Sequence, residues 1–141
     1  ALSPPPTKCL MVVDRLNGTE LWALTKGSSV MHTPVTDGQL VYFAIVSGYL
    51  SDTELLAYRL ATGEEVWKRR LGGVADSSPL LSGQYLLFGN HDRNFYVVNA
   101  PDGAVAQTLP LGAKMFSSPA LSEGRVYIGA QDGKVYCLKS R

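Results

Sequence analysis

The sequence predicts an all-β fold assembled from repeated four-stranded antiparallel meanders. A short phrase occurs three times, most completely at residues 14–22, again at 58–67, and in a more diverged form at 98–107. Its glycine and a proline elsewhere in the unit both recur after 45 and then 40 positions. A period near 40 residues that several landmarks share is typical of repeat architectures, in which neighbouring units stack to bury their apolar faces. The landmarks are Gly18, Gly63 and Gly103, with Pro34, Pro79 and Pro119.

Each unit divides into short strands separated by turn residues, most clearly in the third copy. An extended run at residues 117–121 is followed by Glu123-Gly124, by a second run at 126–129, by Asp132-Gly133, and by a third run at 135–138. Such runs are rich in β-branched and aromatic residues and are divided by glycine turns. They therefore predict a β-meander.

Glycine and proline predict where two further strands of each unit lie. The glycine of the recurring phrase favours a tight turn into a fourth strand, because glycine adopts a positive φ at little cost. The proline lies in the first strand and cannot donate a hydrogen bond to a sheet ladder. We therefore expect the first strand of each unit to lie at a sheet edge, either innermost or outermost.

Strand counting divides residues 10–141 into about three to three and a half units, after a Pro-rich leader at residues 1–9. We assign a partial unit to residues 10–23, complete units to 33–68 and 77–109, and a three-stranded partial unit to 117–139. Incomplete units leave unpaired strand edges and apolar faces in contact with water. We therefore expect a protein partner, and self-association as a homodimer or higher oligomer.

The order of these landmarks resembles the repeat of the pyrroloquinoline-quinone-like (PQQ-like) β-propellers. The resembling pattern is a Ser-x-Pro strand, a Gly-x-Val-Tyr-x-Gly strand, Asp-Gly, a Tyr-x-Leu-type strand and Thr-Gly-Glu-x-x-Trp, and it covers nearly all of residues 10–139. This family includes quinoprotein alcohol dehydrogenases, a lipoprotein of the outer-membrane barrel assembly machinery, and sensor domains of some kinases. The resemblance implies that each meander is a propeller blade and favours a periplasmic or other extracytoplasmic location.

The resemblance also implies roles for individual residues. The proline strand would line the central channel, and Trp22 and Trp67 would dock between adjacent blades. The third copy has Gln107 at the corresponding position. We therefore expect the seam that Gln107 forms to be weaker.

Residues typical of quinoprotein catalysis or of metal binding are missing. The adjacent cysteines of catalytic quinoproteins are absent, since Cys9 and Cys137 lie near opposite ends of the chain, and we expect both to be buried free thiols. Aspartates recur every 40 residues in turns, where a carboxylate caps its own backbone. Two histidines are fewer than a three-histidine zinc site needs. We therefore predict no catalytic residue, metal or cofactor; the aspartates are Asp52, Asp92 and Asp132.

Composition argues against nucleic acid and against a transmembrane segment. The formal net charge is +1, so no strong positive field is available to attract a polyanion. No window approaches the roughly 18 apolar residues that a spanning helix needs. The basic run Lys68-Arg69-Arg70 has no interleaved aromatic residues, and we interpret it as a solvated edge.

One asymmetry among the units indicates a binding face. The first complete unit carries about five extra residues between its second and third strands, within residues 44–52. In a propeller this connection shares a face with the links between blades. Exposed aromatic, methionine and arginine side chains suit a protein contact, although a surface insertion without a role is the alternative. The candidate residues are Tyr49, His32, His91, Arg93, Lys68, Arg69, Arg70, Met115 and Phe116.

The sequence therefore predicts a non-catalytic propeller module that acts as a protein-binding scaffold or as a sensor domain. Two alternatives stay open at this point. The chain could be a fragment of a PQQ-dependent quinoprotein dehydrogenase whose catalytic residues lie elsewhere. It could also be an accessory propeller of a larger adenylating enzyme or kinase.

Overall fold

The computed structural model describes residues 8–25, 32–47 and 52–139. Within these residues the secondary structure consists of β-strands joined by turns, and no helix occurs. The strands are β1 (Lys8–Val13), β2 (Glu20–Thr25), β3 (Val35–Thr36), β4 (Leu40–Ser47), β5 (Asp52–Arg59), β6 (Glu65–Gly72), β7 (Leu80–Ser82), β8 (Tyr85–Gly89), β9 (Asn94–Asn99), β10 (Val105–Pro110), β11 (Ala120–Ser122), β12 (Arg125–Gly129) and β13 (Val135–Lys139).

The strands form four antiparallel sheets, each of which is a meander in chain order. The first sheet is β1-β2, the second is β3-β4-β5-β6, the third is β7-β8-β9-β10, and the fourth is β11-β12-β13. The all-β prediction is therefore confirmed. Strands β3, β7 and β11 each lie at a sheet edge and begin directly after Pro34, Pro79 and Pro119, as expected for residues that cannot donate to a ladder.

The turn before the fourth strand of a unit depends on glycine. Gly63 has φ +71° and Gly103 has φ +68°, in the left-handed region that other residues occupy only with strain. The amide of Gly63 donates to the Arg59 carbonyl at 2.8 Å, and the amide of Gly103 donates to the Asn99 carbonyl at 2.8 Å. The same backbone geometry thus positions the fourth strand in both complete units.

The apolar core lies between successive sheets. One cluster joins the first and second sheets, a second joins the second and third sheets, and a third joins the third and fourth sheets. Since the second sheet is covered on both faces, the neighbouring residues Leu55 and Leu56 are both fully buried although their side chains point in opposite directions. Stacking of sheets, more than packing within a single sheet, therefore stabilises the fold.

Serines just before the first strands of the third and fourth sheets connect one sheet to the next. The Ser78 hydroxyl accepts a hydrogen bond from the Thr33 amide at 3.0 Å, and the Ser118 hydroxyl accepts one from the Ser78 amide at 3.0 Å. The preceding serine, Ser77, exchanges two hydrogen bonds with the backbone of Gly89. These recurring serines thus have structural partners beside the first strands of the sheets.

Candidate functional site

Tryptophan side chains fill the first two seams between sheets. The indole Nε1 of Trp22 donates to the Leu60 carbonyl at 2.8 Å, and that of Trp67 donates to the Ala100 carbonyl at 2.8 Å. Each indole also lies against the glycine three residues after its acceptor, so that a Cβ atom on Gly103 would come within 2.5 Å of the Trp67 ring. Both tryptophans therefore dock on the turn of the following sheet.

The third seam is open. Gln107 stands where the preceding seams have tryptophan, and a cavity of about 560 Å³ lies between the third and fourth sheets. Its walls are mainly apolar, and Gln107, Tyr85 and Lys139 lie among its polar lining. We name this cavity the seam groove; its apolar lining includes Leu87, Phe95, Val97, Leu109, Leu121, Val126 and Leu138.

In the third and fourth sheets, the loop between the second and third strands meets the link that leads into the sheet. The amide of His91 donates to the Val74 carbonyl at 3.0 Å, and the amide of Gln131 donates to the Lys114 carbonyl at 2.8 Å. These two bonds are equivalent in successive repeats. We call this side of the molecule the loop face.

Four side chains that do not follow the repeat come together on the loop face. Asp76 Oδ2 lies 2.9 Å from His91 Nε2, and Asp76 Oδ1 lies 3.8 Å from His32 Nε2. The His91 ring also packs against Phe116, with ring centroids 4.3 Å apart. The two imidazoles are only 15% and 18% exposed, whereas Asp76 is 34% exposed. We call these residues the His–Asp cluster; its members are His32, Asp76, His91 and Phe116.

The polar atoms of the cluster are incompletely satisfied within the chain. Neither histidine Nε2 atom has a hydrogen-bond partner of good geometry among the described residues, although both are buried and both lie near Asp76. Burying a polar atom without a partner is costly. Asp76, the most exposed of the three polar side chains, is the one that can accept a hydrogen bond from a group approaching the loop face.

Sequence reasoning identified three of these residues and missed Asp76. His32 occupies the position of Ser77 and Ser117, and Asp76 occupies the position that Phe116 has in the next unit. A search for residues that break the period would have found Asp76, because a carboxylate there has no counterpart in the other copies.

Arg93 also lies on the loop face, in a strained backbone conformation. Its φ is +71°, while the equivalent residue of the next unit is Gly133. Arg93 and Lys114 line a second, shallow cavity of about 500 Å³ together with Gln131 and Asp132. Arg93 and Lys114 thus lie on the same face as the His–Asp cluster. In the sequence, Arg93 is two residues from His91 and Lys114 is two residues from Phe116.

Met115 does not belong to the exposed surface. It is fully buried and packs against the third and fourth sheets, where a Cβ atom on Gly89 would come within 2.5 Å of the Met115 Cβ. The expectation that it is exposed is wrong because the sequence alone does not reveal that the link carrying it is covered by β12. Ile128 of β12 is part of that cover.

The basic run Lys68-Arg69-Arg70 is spread over different environments. Arg69 Nε donates to the Gly103 carbonyl at 2.7 Å, in the turn that also receives Trp67. Arg70 pairs with Glu54 at 3.1 Å, and Lys68 is exposed. The structure thus does not bring this run together with the His–Asp cluster. Tyr49, the other predicted binding residue, lies outside the described residues.

Two of the three recurring aspartates support their own turns, whereas Asp52 begins strand β5. Asp92 accepts hydrogen bonds from the Asn94 amide and from the Tyr96 hydroxyl, and Asp132 accepts equivalent bonds from Lys134 and Tyr136. The Tyr136 hydroxyl, followed by Lys134, holds the pKa of Asp132 below its usual value. Burial, followed by the bond to Asp92, raises the pKa of Tyr96 to about 12. These carboxylates are hydrogen-bond acceptors fixed in turns.

In the part of the chain that the structure describes, no three His, Cys, Asp or Glu side chains are arranged to hold a metal ion. Cys9 and Cys137 are free thiols, but Cys137 is exposed and Cys9 is only partly buried, so the expected burial of both is wrong. Cys137 lies on the outer face of the fourth sheet, which no described residue covers. No helix long and apolar enough to cross a membrane occurs within the described residues.

Comparison with known proteins places this stack of sheets in a family. A PQQ-like repeat model described as outer membrane protein assembly factor BamB matches residues 7–69 and 51–141. The chain belongs to this family. BamB from Marinobacter adhaerens is 25% identical over 129 residues, which are 89% of this chain and 31% of that protein. The chain thus spans about a third of the length of the curated relatives that it matches.

Solved structures support the propeller fold. The crystal structure of BamB from Moraxella catarrhalis matches with a TM-score of 0.58 and 17% identity, over 92% of this chain and 51% of that one. The computationally designed Ika4 protein matches with a TM-score of 0.72 and 16% identity, over 92% of this chain and 78% of that one. The four sheets are therefore propeller blades, and the seams between them are interblade seams.

Proposed function

We propose that the chain is a protein-binding scaffold of the propeller type that contacts its partner through the loop face. The observation that carries this proposal is the convergence of non-repeating residues in the His–Asp cluster. Residues needed for stacking recur at equivalent positions in two or more units, as the tryptophans, glycines and serines do. Residues that do not recur are not needed for stacking. When such residues lie together on one face, they can form a contact that is specific to one partner.

The chemistry of the cluster suits a polar protein contact. The partly exposed Asp76 carboxylate, held beside the two imidazoles, offers hydrogen-bond acceptors, while Phe116 is 45% exposed and adds apolar area. Mixed aromatic and polar side chains of this kind are typical of interface centres. A sensor role would use the same surface, but no described residue indicates a small-molecule signal.

The names of the relatives suggest where the partner is found. They are outer membrane protein assembly factors. By extension, this chain works outside the cytoplasm and its partner is a protein of the cell envelope that takes part in assembly.

Self-association is a second element of the proposal. The first sheet packs one face on the second sheet and leaves apolar side chains exposed on its other face. Met11, Val13 and Leu21 on this sheet are 54%, 44% and 56% exposed. A second copy packed on the first sheet would bury these side chains in a twofold-symmetric contact.

Site-specific photo-crosslinking in the periplasm of a Gram-negative host tests the loop face. A photoreactive amino acid at Phe116 should form adducts with an envelope protein, and the adducts should decline when Asp76→Ala is added. The same amino acid at Leu16, an exposed residue in the β1-β2 turn, is the matched control. Equal adducts from both positions would contradict a partner on the loop face.

A further inference from the structure

The shallow cavity on the loop face lies where the link between the third and fourth sheets meets a loop of each sheet. At one end of this link, the Leu111 amide donates to the Arg93 carbonyl at 3.0 Å. At the other end, the Gln131 amide donates to the Lys114 carbonyl at 2.8 Å. Backbone hydrogen bonds therefore hold the cavity walls in place. We call this cavity the cationic cleft; its lining residues are Arg93, Gly112, Ala113, Lys114, Gln131 and Asp132.

Both cations of the cleft stand where another unit has an uncharged residue. Arg93 corresponds to Gly133 of the next unit, and Lys114 corresponds to Val74 in the preceding link. The Val74 carbonyl accepts a hydrogen bond from the loop of its own sheet, as the Lys114 carbonyl does. The backbone of the repeat therefore forms without either charge, and the two cations are not needed for stacking.

Arg93 occupies a backbone conformation that favours glycine. Its φ is +71°, and that of Gly133 is +80°. The turn is the same in both units, since the Arg93 amide donates to the Asn90 carbonyl at 3.3 Å and the Gly133 amide donates to the Ala130 carbonyl at 3.2 Å. A side chain in this region of φ costs stability. Strain at an exposed loop indicates that the side chain serves a contact.

No described acidic side chain pairs with either cation of the cleft. The carboxylate of Asp132 accepts hydrogen bonds from the Lys134 amide and the Tyr136 hydroxyl, and it pairs with Lys134 Nζ at 3.1 Å. Asp92 packs against Gly73 in the preceding seam and does not line the cleft. The cleft therefore presents two positive charges that an anion can neutralise.

The cleft is continuous with the exposed aromatic ring of the His–Asp cluster. Met115 is fully buried, whereas Lys114 and Phe116 on either side of it are exposed. Met115 forms a β-bridge with Ala130, so the link is extended here and alternate side chains point to the same side. Lys114 and Phe116 thus share one surface. A shallow surface of this kind cannot enclose a small molecule, but it suits a segment of a protein.

We infer that the cationic cleft binds the carboxylates of an acidic segment in the partner protein. A carboxylate lies between the Arg93 guanidinium and the Lys114 ammonium, and an apolar side chain of the same segment packs on Phe116. A guanidinium can hold a carboxylate through two parallel hydrogen bonds. The inference rests on the proposed scaffold function and names the partner surface that the loop face selects, through complementary charge.

Photo-crosslinking from within the cleft tests this inference. A photoreactive amino acid replaces Gln131, an exposed and uncharged residue of the cleft, and the full chain is produced in the periplasm of a Gram-negative host. The adducts are digested, and mass spectrometry identifies the partner peptide at the crosslink. We expect a peptide with several aspartates or glutamates and a net negative charge.

Substitutions that copy another repeat remove each cation. Arg93→Gly and Lys114→Val should each lower the yield of Gln131 adducts by about threefold, and the double variant by about tenfold, because each removes a partly exposed charge contact. Arg93→Lys should restore part of the yield that Arg93→Gly loses, since it keeps the charge. Lys68→Val removes an exposed lysine of the second sheet and is the matched control, which should not change the yield.

Urea denaturation of the same variants separates lost binding from lost folding. Arg93→Gly should unfold at the same urea concentration as the wild-type chain or at a higher one, because glycine adopts a positive φ without strain. A purely structural role for the Arg93 side chain would instead lower the midpoint of unfolding.

Unchanged adducts in the double variant would overturn the inference. A crosslinked peptide without acidic residues would also overturn it, as would adducts on phospholipid instead of protein. If Gln131 gives no adduct while Phe116 still does, the inference fails and the loop-face proposal stands. Loss of adducts from both positions would count against the scaffold function itself.

Discussion

Trp67 and Gly103 form a matched pair across the seam between two blades, because the indole occupies the space where any other residue would have a Cβ atom. The Cβ of an alanine at position 103 would lie 2.5 Å from the Trp67 ring. Gly63 stands in the same relation to Trp22, with 2.7 Å between the corresponding atoms. Gly18, the first member of the series, has no atom within 4 Å of that position.

Substitution of these glycines should separate packing from backbone strain. Gly103→Ala should cost about 3 kcal/mol or more, since the left-handed backbone and the collision with Trp67 both contribute. Gly18→Ala, with φ +72° but open space around it, should cost only about 1 kcal/mol. Equilibrium denaturation in urea measures both values. Equal losses would show that the indole does not constrain the turn.

Trp67→Ala should destabilise the chain by about 3 kcal/mol, because it removes a large side chain from between two sheets. Trp67→Phe keeps part of the packing but loses the hydrogen bond to the Ala100 carbonyl, and should cost about 1–2 kcal/mol. The free energy of unfolding from chemical denaturation checks both. A loss below about 1 kcal/mol for Trp67→Ala would contradict the register of the blades.

Tyr96 should make stability fall at alkaline pH. Burial and the bond to Asp92 raise its pKa from 10.0 to about 12, so the folded chain holds the phenol proton more tightly than the unfolded chain does. Its contribution is therefore complete below pH 10 and is lost as the pH rises towards 12. Phenolate absorbance in native and denatured samples follows this ionisation.

Tyr96→Phe provides the control for the alkaline prediction. The variant should lose one late-ionising phenol, and its stability should decline less steeply between pH 10 and pH 12. An unchanged native titration curve would mean that a different tyrosine accounts for the late ionisation.

The chain should associate in solution through its first sheet. Size-exclusion chromatography with light scattering should give a mass of at least twice 15.2 kDa. Leu21→Glu places a charge on the exposed face of this sheet and should yield a monomer. Leu16→Glu, in the neighbouring turn, should leave association unchanged. A wild-type chain that stays at 15.2 kDa at high concentration would contradict the proposal.

The architecture was predictable because the signals that define it repeat. Proline and glycine constrain the backbone and tryptophan fills a seam, each through its own local chemistry. Because these residues recur with the same spacing, each one supports the assignment of the others. In a repeat protein, the recurring residues of one unit thus indicate how that unit stacks on its neighbours. The expectation that Gln107 makes the third seam weaker stays a prediction.

The candidate site was only partly predictable for the opposite reason. Asp76 lies near His32 and His91 because three separate links meet on the loop face, and no local pattern encodes that meeting. Burial of Met115 likewise depends on a strand from the next blade. Contacts between blades that involve non-repeating residues can be identified only from the three-dimensional structure.

The hydrogen bonds made by the serines beside the first strands have a direction. The segments that lead into the second and third sheets each donate an amide hydrogen to the serine of the following sheet, from Thr33 to Ser78 and from Ser78 to Ser118. Donor and acceptor therefore belong to different repeats but to equivalent positions. A unit that is inserted or removed between two others would meet the same donor and the same acceptor at its two boundaries. Duplication or deletion of one unit would therefore preserve this hydrogen bond at the new junction.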